Sequence, residues 1–542
     1  MAADPDSETT PLLKDSTRVS VYAANEDGEE RVRDGDEPQV QPQDEVESGQ
    51  ELKPKVSMAA VMIPMSIGIF LSAMDGTIIA SSYAVIGSEL KQLQNTSWIA
   101  TGYMLTLTSF QPLYGKLKQE TDHMTLRIPA GIANMVFATG QAVGAPLGGY
   151  LADTIGWRWA FGLQVPLALL AIVSVSLALK LPQVDHQNFK QKLRRVDFGG
   201  AFTLVSSIFC LLLGLDRGGN VGWGDRITIA SLSTFVGLFV AFLIMELYIA
   251  SEPFAPKRIV VNPSLVASYL ANFFSVGAGM AQVFMITMYF QAVQGRSASE
   301  AGIVLLPSII TAVLGSLLSG IIMQTSGKYY WMTVGVFTLM LVGHITVPLF
   351  AGVWKYSYVG ITIGAVSHLL SHMSIPDPDW RGAYLGLCLS SFGVGAGITT
   401  TLIALIANAG PVDQAVATAG MSRRVAFSAS FLSLTADLLV HGAVSYLFRS
   451  LGSVVCLSLG TTLMQDTLRH ILYERLSGGD VAEIIRRVRE SLAYIGELEP
   501  SVRATVIDAY ADSVHVAQWF TAGLTVCALI ASFFIKETQL TK

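Results

Sequence analysis

After residue 56 the chain alternates between long apolar runs and short polar turns. A helix that crosses the hydrocarbon of a bilayer needs about 20 mostly apolar residues. Runs of that size lie near 58–80, 98–117, 130–151, 160–180, 198–215, 227–250, 264–292, 300–324, 331–352, 384–408, 443–464 and 516–535. They predict about twelve crossings. Two weaker runs, 357–372 and 425–442, are interrupted by polar residues, and the pattern leaves open whether either crosses. The stretch 465–515 is charged and predicts two or three short amphipathic helices outside the hydrocarbon.

Composition separates the first 55 residues from the rest. The 542 residues are 51% hydrophobic and 14% charged, with a formal net charge of −6, and the mean hydropathy is +0.49. A soluble protein is about a quarter charged. Met1–Lys55 alone holds 15 Asp or Glu against 6 Lys or Arg. With few aromatics, that segment cannot bury enough apolar surface to fold, and it predicts a disordered acidic tail. It lacks the basic-then-apolar pattern of a cleavable signal peptide. Soluble enzymes, secreted disulfide scaffolds and nucleic-acid binders are therefore excluded. Cys210, Cys388, Cys456 and Cys527 sit in apolar runs without a CxxC pair and are expected to be small hydrophobes.

Loop charge predicts orientation. Lys180, Lys190, Lys192, Arg194 and Arg195 crowd one connection, with Lys257 and Arg258 on the next loop of the same side and Lys116, Lys118 and Arg127 after the second run. Loops on the other side carry less net positive charge. By the positive-inside rule both termini are expected in the cytosol. In the tail, Glu8 stands four residues before the pair Leu12-Leu13. That spacing resembles a dileucine sorting signal, in which a carboxylate meets a basic patch and two leucines enter a pocket of an adaptor. A chance match in an unstructured tail is the other reading.

Several polar positions inside the apolar runs carry candidate chemistry. Asp75 lies well inside the first run, where an ionised carboxylate must be protonated for part of a cycle, paired with a cation, or hydrated. A structural hydrogen bond near the membrane face is the alternative. Gly140, Gly144 and Gly148 recur every four residues, so one helix face admits a close neighbour. Pro146 within that stretch removes a helix donor and permits a bend. Packing with a hinge role and plain packing both fit. Arg449 is charged at any pH and needs a partner or an aqueous cavity. Asn272, Tyr289 and Gln291 either line a polar cavity or satisfy one another between helices. No HExxH, GxxxxGK[ST] or Cys/His metal spacing occurs, so no metal or cofactor is expected and ATP-driven pumping lacks its machinery.

Five segments, in order, resemble the major facilitator superfamily, specifically its fourteen-span proton-antiporter branch and in particular fungal vacuolar basic amino-acid transporters. Ser72-Ala73-Met74-Asp75-Gly76-Thr77-Ile78-Ile79 is similar to a first-span motif of that branch. Trp98, Tyr103, Leu105, Pro112, Gly115, Lys116 and Leu117 follow its second-span pattern. Gly140-Gln141-Ala142-Val143-Gly144-Ala145-Pro146-Leu147-Gly148-Gly149 resembles its GxxxGPxxGG signature, with Ala145 where Gly is usual, and Gly156-Trp157-Arg158-Trp159-Ala160-Phe161 through Pro166 continues it. Tyr289 through Gly295 and Phe448-Arg449-Ser450-Leu451-Gly452 complete the set. The resemblance implies an all-α membrane protein of two helical bundles. It also implies a secondary transporter exchanging protons for a basic amino acid at the vacuolar membrane. In that scheme Asp75, with Thr77 beside it, is the proton-coupled carboxylate, 140–149 including Gly149 the packing hinge, and Arg449 a structural or coupling cation. The alternatives are a multidrug or other small-molecule proton antiporter at the plasma membrane, taking a drug-like cation, and an inactive truncated isoform or mis-spliced gene model.

The chain departs from the family in two places. Only residues 118–129 separate Gly115-Lys116-Leu117 from Ala130-Gly131-Ile132, where the family has two spans. Near 420–443 some two dozen residues interrupt a family-like stretch, and Gly420-Met421-Ser422 can be encoded by codons containing a 5′ splice site. A skipped exon and a retained intron are the expected causes. The expected layout is then a tail over 1–55, an incomplete N-terminal bundle over 56–182, a basic cytosolic linker over 183–197 and two linker spans over 198–262. A C-terminal bundle over 263–464 follows, with an insertion near 420–443. An amphipathic non-cytosolic loop over 465–515 and a last span with cytosolic tail over 516–542 complete it.

Overall fold

The computed structural model describes residues 58–106, 130–178, 198–249, 262–351, 381–408, 430–477 and 480–538. Within them the chain is helical. In order these are α1 (Met58–Glu89), a 3-10 turn (Leu93–Asn95), α2 (97–106 as described), α3 (Ala130–Thr154), α4 (Trp157–Gly162), α5 (Gln164–Ala178), α6 (Phe198–Asn220) and α7 (Arg226–Ile244). Then follow α8 (Pro263–Ala292), α9 (Ala298–Val304), α10 (Leu306–Ser326), α11 (Tyr330–Ala351), α12 (Arg381–Asn408), α13 (Ser430–Arg475), α14 (Val481–Glu490), a 3-10 turn (Ala493–Glu497) and α15 (Pro500–Ser532). The sorting-signal candidates Glu8, Leu12 and Leu13, the basic loop over 183–197 and the weak run 357–372 lie outside the described residues.

Ten helical stretches among the described residues are long and apolar enough to cross a membrane. Three of them join neighbours, α4 with α5, α7 with the π-helical turn Met245–Ile249 that follows it, and α9 with α10. Of the twelve expected runs, the other two are α3, whose glycines and polar residues lower its hydropathy, and α2, described only as far as Thr106.

Helix ends follow local chemistry. The Asn262 side chain accepts from the Ser264 N–H at 3.0 Å, with Pro263 starting α8. Ser297 and Glu300 form a reciprocal capping box on α9. Gly327 ends α10 in the left-handed conformation, φ 68°. The charged 465–515 stretch proves to be mostly extensions of crossing helices. α13 runs on to Arg475 and α15 begins at Pro500, leaving α14 as one short amphipathic helix between them. α13, with 46 residues, is about 69 Å long at ~1.5 Å per residue, more than twice a hydrocarbon thickness of about 30 Å.

Packing sorts the helices into two groups. α1 lies against α3 and α5, while α8 is central to a second group and touches α12, α13 and α15. α10 and α11 complete that group by packing on α12. α6 and α7 pair with each other, and α6 leans on α13. Exposure follows position. Two-thirds of the α1 membrane window is buried (67%), against 11% for the windows of α4–α5 and of α7. The latter two therefore present Leu169, Ile172, Val236 and Val240 outward as a lipid-facing surface.

Candidate translocation site

The α1–α3 contact is built from glycine. A Cβ on Gly140 would come within 2.5 Å of the Phe70 carbonyl oxygen, one on Gly144 within 2.2 Å of Thr77 Oγ1, and one on Gly148 within 2.8 Å of the Ile78 Cα. The three glycines thus form the face on which α1 rests, and Pro146 sits within a continuous helix on the adjoining face. There Ala145 and Gly149 meet α9. A Cβ on Gly149 would lie 2.2 Å from the Ala298 carbonyl oxygen, and one on Gly302 2.3 Å from that of Ala145. The glycine-rich helix is therefore wedged between the two groups of helices.

Asp153, one turn further along α3, closes that contact. Its two oxygens accept from the backbone N–H groups of Ala298 at 3.2 Å and Ser299 at 2.8 Å, the first orphan donors of α9. Sequence reasoning passed over Asp153 because a carboxylate at a span end looks solvated. Its signal was its place one turn beyond Gly149.

Asp75 is half-buried on α1, and Gln164 Nε2 of α5 donates to its Oδ1 at 3.3 Å. The same amide also donates to the Ala160 carbonyl at 3.2 Å. Among the described residues no cation pairs with Asp75. Thr77, two residues on, turns its hydroxyl back to the Met74 carbonyl at 3.0 Å, away from the carboxylate. Gln164 was legible as an amide within the Gly156–Pro166 stretch, but its partner was not.

Around the end of α1, Arg158 Nη1 donates to Glu89 Oε1 at 2.6 Å and Trp157 Nε1 to Glu89 Oε2 at 2.7 Å. The guanidinium stacks over the Trp157 ring at 4.4 Å. Gly156, at φ +100°, makes the turn that aims these two side chains at α1.

The remaining candidates fall into two places. Gln291 reaches across the seam, its Nε2 donating to the Ser81 carbonyl of α1 at 3.1 Å. Tyr289 lies a few residues away in the core shared by α1, α8, α13 and α15. It borders a small cavity with Pro348, His515 and Gln518, whose amide atoms are buried without a hydrogen-bond partner among the described residues. Asn272 lies 17 residues before Tyr289, about 25 Å along α8 at ~1.5 Å per residue. It is fully buried, receives the Thr401 hydroxyl at 3.0 Å and donates to Ser445 Oγ at 3.3 Å, so it ties α8 to α12 and α13. Arg449, one turn beyond Ser445, lies over the Tyr446 ring at 4.7 Å, and its Nε is buried without a hydrogen-bond partner among the described residues. The structure thus gathers Asp75 with Gln164, and Gln291 with Ser81, but leaves Asn272 and Arg449 at another level of the second group. No cluster of three or more His, Cys, Asp or Glu side chains capable of holding a metal forms among the described residues.

Comparison with known proteins follows the same lines. The family model described as Major Facilitator Superfamily matches residues 121–433. The vacuolar membrane amino acid uptake transporter fnx2 of Schizosaccharomyces pombe is 29% identical over an alignment covering 90% of this chain and 85% of that protein. Multidrug resistance protein fnx1 of the same yeast is also 29% identical, covering 88% and 91%. Vacuolar basic amino acid transporter 1 of Saccharomyces cerevisiae is 24% identical, covering 76% and 79%.

Proposed function

This chain belongs to the major facilitator superfamily of membrane transporters, and from that premise we propose that its scaffold exchanges protons for basic amino acids across the vacuolar membrane, with both termini in the cytosol. The observation that carries the coupling is the Asp75 site. A carboxylate embedded in a crossing helix is held by one neutral amide rather than by a cation. Such a group has no fixed counter-charge, so protonation or a cationic substrate can neutralise it. The glycine contacts of α3 let the two helix groups lie in close register, and Pro146 lets α3 bend as they rock.

The names of two relatives support the substrate class, an amino acid uptake transporter and a basic amino acid transporter. A second reading, export of drug-like cations at the plasma membrane, is favoured by the similarity to a multidrug resistance protein at equal identity. The test is uptake into proteoliposomes under an imposed pH gradient, with lysine, arginine and a lipophilic cation as substrates. It is run on this chain and on one carrying two further spans between Gly115 and Gly131. In whichever form transports, Asp75→Asn keeps the size of the group and removes the proton. Gradient-driven uptake is expected to collapse while substrate binding persists. Full pH-driven uptake by Asp75→Asn would assign Asp75 a structural hydrogen bond instead.

A further inference from the structure

The segment between α13 and α15 is placed where the two groups of helices meet. α14 and the 3-10 turn after it send Ile485, Val488 and Ile495 into the same buried cluster as Tyr83 and Ala84 of α1, Leu93 of the turn after α1, Met288 and Ala292 of α8, and Tyr510 of α15. The opposite face of α14 is charged, with Arg486 and Arg487 both bonded to Glu483. This short helix therefore lies across the seam with its apolar side down, in one buried cluster with residues of both groups.

Its attachments to the two sides differ in kind. On the side of α13 and α15 the segment is covalently continuous, and the Tyr510 hydroxyl donates to the Val488 carbonyl at 2.9 Å. On the α1 side it is held by the Leu492 N–H, which donates to Ser88 Oγ at 2.9 Å. A hydrogen-bond chain runs from Arg489 through Asn220 to Asn95. Arg489 Nη2 donates to Asn220 Oδ1 at 2.6 Å, Asn220 Nδ2 donates to Asn95 Oδ1 at 3.1 Å, and Arg489 Nε donates to Gln465 Oε1 at 3.3 Å. Arg489 thus grips neutral amides. Asp466 and Asp216 lie close enough to feel the guanidinium, but among the described residues neither accepts a hydrogen bond from it. A guanidinium bonded directly to a carboxylate would form a stronger contact, so this grip is of the kind that can release and re-form.

We propose that residues 480–498 are a gate over this end of the transport path, hinged on α13 and α15, and that Arg489 is the positioning residue that holds it down, through Asn220 at the end of α6, on the turn that follows α1. The proposal rests on the alternating-access reading of the family but on no particular substrate. When the helix groups rock apart, a segment gripping both must release one. The weaker grip is on α1, so the gate should stay with α15 and uncover Tyr83 and Ala84.

The experiment needs no transport, so failure of the antiport reading leaves it intact. Full-length protein carrying Ala84→Cys is reconstituted in vesicles, and a membrane-impermeant maleimide is applied without substrate. Modification at position 84 is followed by mass spectrometry. The native Cys456, buried where α13 meets α8, reports whether the fold survives. In the parent, position 84 should react slowly. Adding Arg489→Gln should raise its rate by about fivefold or more, the change expected when a local closure loses a single good contact, while Cys456 stays protected. If Arg489→Gln also exposes Cys456, the milder Ser88→Ala, which removes one hydrogen bond, is measured in its place. Rapid labelling at position 84 in the parent would overturn the gate. An unchanged rate in the variant that keeps Cys456 protected would overturn it equally.

Discussion

At Gly144 the backbones of α3 and α1 approach so closely that even one methyl group has no place. A Cβ there would lie 2.2 Å from Thr77 Oγ1 and 2.5 Å from the Met74 carbonyl oxygen. Gly144→Ala must therefore displace a helix backbone, and overpacking of this kind costs about 1–3 kcal/mol. Thermal unfolding followed by intrinsic fluorescence should show a lower midpoint. Gly237, on the outer face of α7, has nothing within 4 Å of the same added atom. Gly237→Ala should leave the midpoint unchanged or raise it, since Ala favours a helix interior over Gly by roughly 0.5–1 kcal/mol. Asn272 is the other informative single residue. Its loss strands the Ser445 and Thr401 hydroxyls, yet Thr401 already lies 2.6 Å from its own Gly397 carbonyl. Interhelical hydrogen bonds in membranes are worth about 0.6 kcal/mol on average and at most about 1.7, so Asn272→Ala should cost about 1 kcal/mol in the same assay. A loss far beyond that would show that Asn272 sets the register of α8, α12 and α13.

Among the elements, α14 is one whose stability depends on charge. Hydrogen bonds from Arg486 and then Arg487 hold the exposed Glu483 carboxyl down to about 2. Its folded value lies below an unperturbed value of about 4.3. The stabilisation is therefore fully present above that unfolded value and is lost as pH falls through the folded one. Amide exchange of α14, corrected for its intrinsic pH dependence, should be equally protected at pH 7 and pH 5. Protection should weaken only below about pH 4. Glu483→Gln should remove that acid dependence, and the change should be small because exposed ion pairs are worth little. A steep loss of protection between pH 7 and pH 5 would point to a different titrating group. The same element shows how far amphipathicity is legible in sequence: the charged stretch 465–515 predicted two or three short amphipathic helices, where one forms between extensions of α13 and α15, and it gave no sign that the apolar side of that helix lies across two helix groups.

For the whole molecule, the N-terminal group is the informative part. α1, α3 and the α4–α5 pair pack together there, and α5 packs chiefly on α1 and α4, while the described part of α2 lies with α6 and α13. The 15 residues between Gly115 and Gly131 allow a turn but not two crossings at about 20 residues each. An incomplete bundle leaves helix faces open sideways to lipid, so a path between the helix groups cannot be sealed against the bilayer. The 542-residue chain is expected to give no uptake driven by a pH gradient, and the chain with two spans restored is expected to give it. Robust uptake by the purified 542-residue protein would mean that four N-terminal crossings suffice.

Read alone, the sequence determined the crossings and the close-packing face. Hydrocarbon thickness sets a local length rule, and a four-residue glycine period marks one side of a helix wherever that helix goes. It also marked Asp75, because a carboxylate in an apolar run is conspicuous without a structure. It could not determine what these residues meet. Gln164 is 89 positions from Asp75, and Asn220 is 269 from Arg489. In a soluble protein the apolar face of a helix tells which side is buried. In a bilayer, lipid and protein interior are equally apolar, so hydropathy does not fix the rotation of one helix against another. Only the tertiary structure decided that rotation, and with it the partners of Asp75, the capping of α9 by Asp153, and the position of α14 over the seam.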